Sequence, residues 1–305
     1  MEDIGVIILN FNTSQLTIDC VNSIFNNSPK ELIFRIIIVD NNSREEEFNK
    51  LDSLRSNERV IIFRNPQNAG FSGGNMEGVR LCSPEYYFFL NNDTLLLNDN
   101  LSILYRFMQD HPGAGICSGQ LYNENHKPGI NFNYIPDLKL KLLGSGLLRL
   151  FDKANYPVKG KEYNEPIRVP VLNGSSLFVR AVAFDQAGGF DTNFFLYCEE
   201  EDLAIRMKKS GYKLYLVPEA KYMHLQGGSS TKDPVKDFKY LKEFYISQHY
   251  LYRKHFGTAA MYVWRLTQFF RSVRKFYKNR NYLKLAVMLL RGPSIKESMR
   301  NIMHK

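Results

Sequence analysis

Cysteine and long hydrophobic runs are both scarce in this sequence. The 305 residues include four cysteines, with no C-x-x-C pair among them: Cys20, Cys82, Cys117 and Cys198. This spacing argues against a disulfide framework and a zinc site, and it is typical of a reducing compartment. No uncharged apolar run reaches the roughly 18 residues that a membrane-spanning helix needs, and the first residues lack the pattern of a signal peptide. We therefore expect a cytoplasmic protein without a membrane-spanning helix.

Acidic residues are absent from one long segment, between Glu243 and Glu297. Basic and aromatic residues are interleaved there: the segment 232–305 carries 17 Lys or Arg against 4 Asp or Glu, whereas residues 1–231 carry 23 against 27. We interpret 232–305 as a basic, aromatic, helical tail that follows a glycine- and serine-rich linker at 227–231. This composition fits an anionic membrane surface or a nucleic acid, and such a tail could equally mediate homo-oligomerisation.

Strand patterns alternate with helix patterns in the first hundred residues. Four short runs dominated by apolar residues are typical of strands buried on both faces of a sheet: residues 4–9, 34–39, 60–63 and 86–90. Helix-length patterns separate them, one from about 76 to 81, so we predict an α/β fold with a mainly parallel sheet and helices on both faces. Residues 122–170 are irregular, and we interpret them as a long excursion over the site rather than a separate domain.

Polar residues follow each of these four strands. Ligands of such sheets bind just beyond the carboxyl ends of parallel strands, so four polar clusters would meet at one edge: Asn10 with Asn12, Asp40 with Asn42, residues 68–75, and residues 91–93. One polar strand end is ordinary turn chemistry, but four in succession indicate a ligand site. The cluster at 68–75 matches neither a Walker loop nor G-x-G-x-x-G, although its glycines and backbone N–H groups suit a nucleotide or a diphosphate.

A second acidic site lies at the start of a predicted helix, where four acids follow one another from Glu199 to Asp202. One interpretation is structural, because the helix dipole favours negative charge in the first turn. The other is chemical, because the aromatic residues at 194–197 would raise the pKa of a carboxylate and let it accept a proton near neutrality. The pattern by itself leaves both interpretations open.

Asp93 and His224 could together form a metal site. A lone histidine after a strand, such as His224, is more often structural than a metal ligand. If it is paired in space with Asp93, however, the two side chains would supply oxygen and nitrogen ligands for Mn²⁺ or Mg²⁺.

Taken in order, these motifs resemble those of glycosyltransferase family 2, and most closely its rhamnosyltransferase-like members. The resemblance extends from about Val6 to Ser230 and rests on residues 6–12, 37–43, 68–71 with 74 and 75, 90–94, 173–176, 188–191 and 197–203. It implies the A-type glycosyltransferase fold, a nucleotide-diphospho-sugar donor, a divalent cation (Mn²⁺ or Mg²⁺) and inversion at the anomeric carbon.

The resemblance also implies which residues bind the donor. Asp40 and Asn42 would hold the base and the ribose, with the backbone of Leu9 and Asn10 beneath them. The other donor-side residues would be Asn12, Asn68, Gly70, Phe71, Gly74, Asn75, Asn91 and Asn92.

Further roles follow for the metal, the base and the acceptor side. Asp93 and His224 would bind the cation, and Asn91 stands where the family often has a carboxylate. Glu200 would be the general base, with Glu199 as the close alternative, while Asp202 would cap the helix or orient Arg206. The acceptor side would include Asn173, Gly174 and Ser175.

The function that this resemblance implies is transfer of rhamnose from deoxythymidine-diphospho-rhamnose to a surface-polysaccharide or lipid-linked saccharide acceptor, at the inner face of the cell membrane. A uridine-diphospho sugar such as galactose or glucose is the alternative donor. A non-catalytic nucleic-acid or membrane binding protein would explain the tail but not the polar strand ends, so we expect no nucleic-acid partner. A nucleotidyltransferase would carry a Gly-Thr-Arg signature after the first strand, which this sequence lacks.

Overall fold

The computed structural model describes residues 3–29, 31–225 and 237–300. The predicted linker at 227–231, and with it the boundary at 231 between the main domain and the tail, lies outside the described residues. The residues before the linker form an α/β unit, and those after it form helices that pack against this unit.

One large mixed sheet organises the α/β unit. The strands are β1 (Ile4–Asn10), β2 (Phe34–Asp40), β3 (Val60–Arg64), β4 (Tyr86–Asn91), β5 (Thr94–Leu96), β6 (Ala114–Tyr122), β7 (Phe132–Asn133), β8 (Ile167–Val169), β9 (Val171–Leu172), β10 (Ser176–Arg180) and β11 (Lys213–His224). Among the described residues, nine of them form one sheet in the order β3-β2-β1-β4-β10-β6-β11-β5, with β8 also paired to β11. The pairs among β1, β2, β3 and β4 are parallel, as predicted, whereas β10 is antiparallel to both β4 and β6.

Helices cover both faces of this sheet. The helices are α1 (Ser14–Asn27), α2 (Glu45–Phe48), α3 (Gly70–Arg80), α4 (Asn100–Asp110), α5 (Leu138–Phe151), α6 (Ala181–Ala187), α7 (Glu199–Lys209), α8 (Phe238–His255), α9 (Gly257–Lys275) and α10 (Asn281–Arg291), with short 3₁₀ helices at Asn49–Leu54 and Ile295–Glu297. Helices α1 and α4 pack on one face, and α3, α6 and α7 pack on the other.

The strands are apolar because both of their faces are buried. In β1, Ile4, Val6 and Ile8 belong to one apolar core and Ile7 to the other, since successive side chains of a strand point to opposite faces. All four side chains are fully buried. A strand between two helical layers can therefore be apolar at every position, which is the pattern that predicted it.

Helix α3 begins earlier than its sequence pattern predicts. We expected a helix from about 76, after the polar cluster at 68–75, but the helix starts at Gly70. Two glycines within it serve close packing: a Cβ on Gly74 would lie 2.6 Å from Leu9 Cδ1, and one on Gly78 would lie 2.5 Å from Ile7 Cγ2. The predicted start of this helix was therefore too late in the sequence, because these glycines let the helix approach β1.

Gly70 is held in a conformation that only glycine adopts readily. Its φ is +73°, and a Cβ would lie 2.2 Å from the carbonyl oxygen of Phe195. We expect Gly70→Ala to lower the free energy of unfolding by about 2 kcal/mol or more, since a left-handed backbone costs 1–2 kcal/mol and the clash adds to it. Urea unfolding would measure this loss. Gly113→Ala is the matched control, because no atom lies within 4 Å of its added Cβ, and equal losses in both variants would contradict the prediction.

The C-terminal helices dock on the α/β unit. They share an apolar cluster around the fully buried Trp264. Helix α8 also makes polar contacts with the segment before α7: Ser247 Oγ donates to the Leu196 carbonyl oxygen over 2.8 Å, and Lys254 Nζ lies 2.7 Å from Asp191 Oδ2. The predicted helical tail is therefore present and is packed against the main domain. Among the described residues, no helix combines the length and hydropathy that crossing a membrane requires.

Candidate active site

A large cleft opens at the carboxyl edge of the parallel strands. Its volume is about 840 Å³, which falls within the range of small-molecule sites. Ten of the residues predicted for the site line it: Leu9, Asn10, Asn68, Gly70, Phe71, Asn91, Asn92, Asp93, Asn173 and His224. The strand ends therefore meet at one edge, as the polar clusters predict.

Nine predicted residues do not line this cleft: Asn12, Asp40, Asn42, Gly74, Asn75, Gly174, Ser175, Glu199 and Glu200. Asp40 is fully buried, and its carboxylate accepts hydrogen bonds from Asn10 Nδ2 (2.7 Å) and from the backbone N of Ser43 (3.0 Å). Asn42 is exposed with a φ of +66°. The binding of the base and ribose by Asp40 and Asn42 stays a prediction, and Asp40 has a visible second task in fixing Asn10.

Asn41 is a cleft residue that the sequence analysis missed. Its Nδ2 donates to Asn68 Oδ1 (3.1 Å) and to the Gly70 carbonyl oxygen (3.0 Å), and its Oδ1 accepts from Asn65 Nδ2 (2.9 Å) and from the backbone N of Ala69 (3.1 Å). This network ties the end of β2 to the start of α3. The signal was its place between two predicted site residues, Asp40 and Asn42, but only the fold shows which of the three side chains faces the cleft.

Two other parts of the chain contribute walls that were not assigned to the site. The excursion at 122–170 supplies Tyr122, Asn123, Glu124 and Asn125, together with neighbouring residues as far as Asn133. This agrees with its interpretation as a cover over the site. The tail supplies Tyr240 and Met299, which no feature of its composition indicated.

Asp93 and His224 meet at the cleft although 131 residues separate them. The antiparallel pairing of β5 with β11 places His224 opposite Thr94, and Asp93 Oδ1 lies 3.0 Å from His224 Nε2. Adjacent ligands of an octahedral ion bound at about 2.1 Å are also about 3.0 Å apart, so the pair fits two neighbouring positions around Mg²⁺ or Mn²⁺. The described residues contain no group of three or more His, Cys, Asp or Glu side chains that could hold an ion by themselves, so other ligands would have to come from substrate and water.

The backbone leading into α7 is strained. Tyr197 and Cys198 adopt φ values of +73° and +68°, and left-handed conformations are costly for residues other than glycine. The surroundings hold them in place: the Phe195 carbonyl oxygen accepts from the backbone N of Phe71 (2.7 Å), and the Tyr197 ring packs edge-on against Phe244. The strain fixes the direction in which the first turn of α7 leaves the cleft wall.

Three glutamates of this first turn are poorly solvated. Burial, together with the charge of Glu200, raises the pKa of Glu199 well above its usual value, and burial raises the pKa of Glu200. Burial and the charge of Glu200 raise the pKa of Glu201 to about 8. The Oε2 atoms of Glu199 and Glu201 have no hydrogen-bond partner among the described residues. The turn therefore has the proton affinity that a general base needs near neutrality.

Glu200 faces the predicted acceptor side. A Cβ built on Gly174 would lie 3.7 Å from the carboxyl carbon of Glu200, so this carboxylate sits against the turn that carries Asn173. Asn173 lines the cleft and bonds through Oδ1 to the backbone N of Ser175 (3.0 Å). Ser175 itself is buried, with Oγ 3.2 Å from the hydroxyl of Tyr222. The turn therefore brings Glu200 next to the cleft, although Glu200 is not part of its lining.

Asp202 is bound by the side chains of Arg206, Lys254 and His255. Its Oδ2 accepts from Arg206 Nε (2.8 Å), and its Oδ1 lies 2.6 Å from Lys254 Nζ and 2.7 Å from His255 Nε2. Burial would raise the pKa of Asp202, but the hydrogen bond from His255 and the charge of Arg206 outweigh burial and lower the pKa to about 2. Asp202 thus orients Arg206, as predicted, and it also joins α7 to the tail.

We expect Asp202→Asn to lower the free energy of unfolding by about 2 kcal/mol at pH 7, because a pKa lowered by about two units stabilises the folded state by that amount. A lowered pKa stabilises above the unfolded value near 4, and this contribution disappears as the pH falls towards about 2. Urea unfolding at pH 7 and at pH 2.5 would therefore show a difference that shrinks in acid. Asp185→Asn, an exposed carboxylate on α6, is the control, and equal stability of Asp202→Asn and the unchanged protein at pH 7 would contradict the prediction.

Solved structures with similar backbones define the fold class. One is described as GalNAc-T7 with UDP, GalNAc and Mn²⁺, with a TM-score of 0.58, 16% sequence identity, and coverage of 83% of this chain and 50% of that one. Another is the mannosyltransferase PcManGT from Pyrobaculum calidifontis with GDP-Man and Mn²⁺, with a TM-score of 0.55, 13% identity, and coverage of 83% and 64%. The fold is the A-type glycosyltransferase fold, as predicted.

The chain belongs to glycosyl transferase family 2. The model of this family matches residues 5–168, which is more than half of the chain. The match includes β1 to β4 and the Asp93 turn, but it ends before the acidic turn of α7.

Rhamnosyltransferases are among its curated relatives. The N-acetylglucosaminyl-diphospho-decaprenol L-rhamnosyltransferase of Mycobacterium tuberculosis (strain CDC 1551 / Oshkosh) is 43% identical over 76 residues, which cover 24% of this chain and 25% of the relative. Rhamnosyltransferase WbbL of Escherichia coli (strain K12) is 26% identical over 152 residues, which cover 48% and 55%. These matches span a quarter to about half of the relatives' length. Within the family, the chain is thus rhamnosyltransferase-like.

Proposed function

We propose that this protein is an inverting glycosyltransferase that moves a sugar from a nucleotide-diphospho-sugar to a hydroxyl of a saccharide acceptor. The observation that carries the proposal is the arrangement of two sites about one cleft. The Asp93–His224 pair lies at the cleft beside the strand ends, and the Glu200 carboxylate lies behind the turn at Gly174. A nucleotide-sugar held between them would have a group for the leaving diphosphate on one side and a base on the other.

Glu200 is the proposed general base. It would accept the proton of the acceptor hydroxyl while the acceptor oxygen forms a bond to the anomeric carbon, and the bond from that carbon to the diphosphate oxygen would break with its electron pair leaving on the diphosphate. One displacement inverts the anomeric configuration. Glu199 is the alternative base, since burial and the charge of Glu200 raise its pKa well above its usual value.

Asp93 and His224 are the proposed ligands of a divalent cation, Mn²⁺ or Mg²⁺. When bound, such an ion supplies positive charge that neutralises a departing diphosphate. The oxygen and nitrogen donors and their spacing of 3.0 Å support this role. Asn91, which lines the cleft, offers an amide where the family often has a carboxylate, so Asp93 would carry most of the charge.

The proposed donor is deoxythymidine-diphospho-rhamnose. The two rhamnosyltransferases among the relatives support this choice. A uridine-diphospho sugar such as galactose or glucose is the alternative, supported by the fold shared with a protein solved with UDP. The relative that acts on a diphospho-decaprenol saccharide, according to its name, supports a lipid-linked or growing surface-polysaccharide acceptor.

The proposed location is the cytoplasmic face of the cell membrane, with peripheral attachment through the basic tail. The absence of acids between Glu243 and Glu297 supports attraction to an anionic surface. Homo-oligomerisation through the same helices is the alternative to this attachment. A non-catalytic nucleic-acid or membrane binding role would not explain the cleft and its carboxylates.

A panel of nucleotide-sugars incubated with Mn²⁺ or Mg²⁺ tests the proposal, with released nucleoside diphosphate as the readout. The panel should include deoxythymidine-diphospho-rhamnose, UDP-glucose and UDP-galactose, each with and without a lipid-linked saccharide. Turnover with one donor would identify it. If calorimetry detects no binding of any donor and no nucleoside diphosphate is released, the transferase proposal fails.

A further inference from the structure

Helix α5 exposes five of its eight apolar side chains. None of its 14 residues is buried, and Leu142, Leu150 and Phe151 are 82%, 74% and 84% exposed. Leu143 and Leu147 are exposed as well. A helix on a globular protein normally turns such side chains towards the core. In the part of the chain that the structure describes, this apolar face has no covering element, and an exposed patch of this kind marks an interaction surface.

The charge of α5 has a single sign. Its sequence from 138 to 151 contains Lys139, Lys141 and Arg149 and no acidic residue. The flanking acids are used locally, since Asp137 accepts from the backbone N of Leu140 (2.8 Å) and Asp152 from the backbone N of Asn155 (3.0 Å). Gly144, with a φ of +72° and a ψ of 156°, divides α5 into two short helical segments. Both segments combine exposed leucines with basic residues, which is the composition of helices that lie in the interface of a membrane.

The same kind of surface continues onto the tail. Lys141 Nζ lies 4.6 Å from the centre of the Tyr252 ring and 5.5 Å from that of Trp264, so α5 packs beside α8 and α9. Helix α9 in turn exposes Leu266 and Phe270. It belongs to the segment without acidic residues. The two helices thus offer apolar and basic side chains from adjoining parts of the molecule.

An anionic lipid surface is the occupant that fits both properties. Exposed leucines gain from contact with acyl chains, and the exposed cations of the two helices gain from anionic headgroups. These cations are Lys139 on α5 and Arg271, Arg274 and Lys275 on α9. Lys141 and Arg149 are half-buried and contact Tyr252 and Tyr134. A second copy of this chain would bring the same positive charge to the contact and would be repelled. A nucleic acid would satisfy the charge and leave the leucines in water.

We propose that α5 inserts its apolar face into an anionic membrane surface and, together with α9, holds the cleft beside the bilayer. Helix α5 begins five residues after Asn133, which lines the cleft. A saccharide could then enter the cleft while its lipid carrier stays in the bilayer. This last consequence rests on the proposed lipid-linked acceptor, whereas membrane insertion itself does not.

Tryptophan fluorescence can test the insertion directly. The chain has one tryptophan, Trp264, which is fully buried and supplies a constant background. In Leu150→Trp, we expect the emission to move to shorter wavelength when vesicles containing phosphatidylglycerol are added, and to be quenched by brominated acyl chains. Val182→Trp is the matched control, because Val182 is also exposed but lies on α6. Its emission should not move.

Vesicle partition gives a second readout. The double variant Leu142→Ser/Leu150→Ser should bind these vesicles about tenfold or more weakly, because two apolar side chains no longer leave water. Val182→Ser should bind as the unchanged protein does. Unchanged partition of the double variant, with no emission shift in Leu150→Trp, would overturn the proposal. A shift that appears without vesicles and grows with protein concentration would also overturn it, in favour of self-association.

These measurements need no donor or acceptor. Insertion without any transfer activity would count against the proposed function and leave the membrane contact supported. Transfer to a water-soluble saccharide with no insertion would support the proposed function and count against the membrane contact.

Discussion

Glu200→Gln is expected to lower kcat by about 10³-fold, within the range of 10²–10⁴ that a general base contributes. The amide keeps the size of the side chain beside Gly174 but cannot accept a proton from the acceptor hydroxyl. The donor does not depend on this group for binding, so its KM should change little. Initial rates with saturating donor and acceptor would measure the loss, and calorimetric titration with the nucleoside diphosphate would verify that the variant still binds it.

Glu199→Gln is the matched control, since it makes the same change one residue earlier in the same turn. If Glu200 is the base, Glu199→Gln should lose far less activity. The reverse result would assign the base to Glu199. If neither variant loses activity, the acidic turn has only the structural role that its place at a helix start allows.

The pH dependence should follow the proposed base. Burial raises the pKa of Glu200, and a base acts only when it is deprotonated, so kcat should fall as the pH drops through this raised pKa. The acidic limb of the pH–kcat profile should therefore have its midpoint at a higher pH than the pKa of an exposed glutamate. In Glu200→Gln the residual rate should lose this limb, and a limb that persists there would point to another group.

The first half of the fold could be predicted because its signals are local. Residues 4–9 and 86–90 are apolar without alternation, which requires a strand covered on both faces, and β1 and β4 are such strands in adjacent positions. The convergence of their polar ends then follows from the geometry of a parallel sheet. No property of a single segment predicts where β10 goes. Its insertion between β4 and β6 depends on contacts with strands 60 to 90 residues away.

The candidate site was predictable where residue type and strand order suffice, as at Asn92 and Asp93. The approach of His224 to Asp93 depends on the β5–β11 pairing, so the residue types could only raise it as a condition and the family resemblance was needed to imply it. The left-handed backbone at Tyr197 and Cys198 has no signal in the sequence, because residues of these types rarely adopt it. The contact of Asp202 with Lys254 and His255 could not be predicted either, since the sequence of the tail indicates a separate basic segment.

The tail makes two structural contributions to the site that its composition does not predict. Lys254 and His255 hold Asp202 at the acidic turn, and Tyr240 with Met299 closes part of the cleft. The helices that carry the positive charge are therefore also part of the wall of the site. A membrane contact through α5 and α9 would act on helices that pack beside α8, so the distance between bilayer and cleft would be set by packing.

The metal pair leads to the second large effect. We expect Asp93→Asn to lower kcat/KM by about 10²-fold or more, because an ion that neutralises the leaving diphosphate contributes several kcal/mol to the transition state. The amide preserves the shape of the side chain and an oxygen that can accept from His224, so the change isolates the charge. Nucleoside diphosphate should bind Asp93→Asn more weakly in the presence of Mn²⁺ and equally well after EDTA treatment. Titration calorimetry under both conditions would measure this difference.

Asn91→Asp provides the converse variant two residues away. It adds a carboxylate at the position where the family often has one, on the wall of the same cleft, so half-maximal activity should require less Mn²⁺ than in the unchanged protein. His224→Gln should require more, since the nitrogen ligand is lost. A lower Mn²⁺ requirement in Asn91→Asp and a higher one in His224→Gln, with Asp93→Asn the most affected, would mean that the three side chains bind one ion. If EDTA leaves the activity of the unchanged protein intact, or if Asp93→Asn and Asn91→Asp shift the titration in the same direction, Asp93 does not hold the cation and its hydrogen bond to His224 is structural.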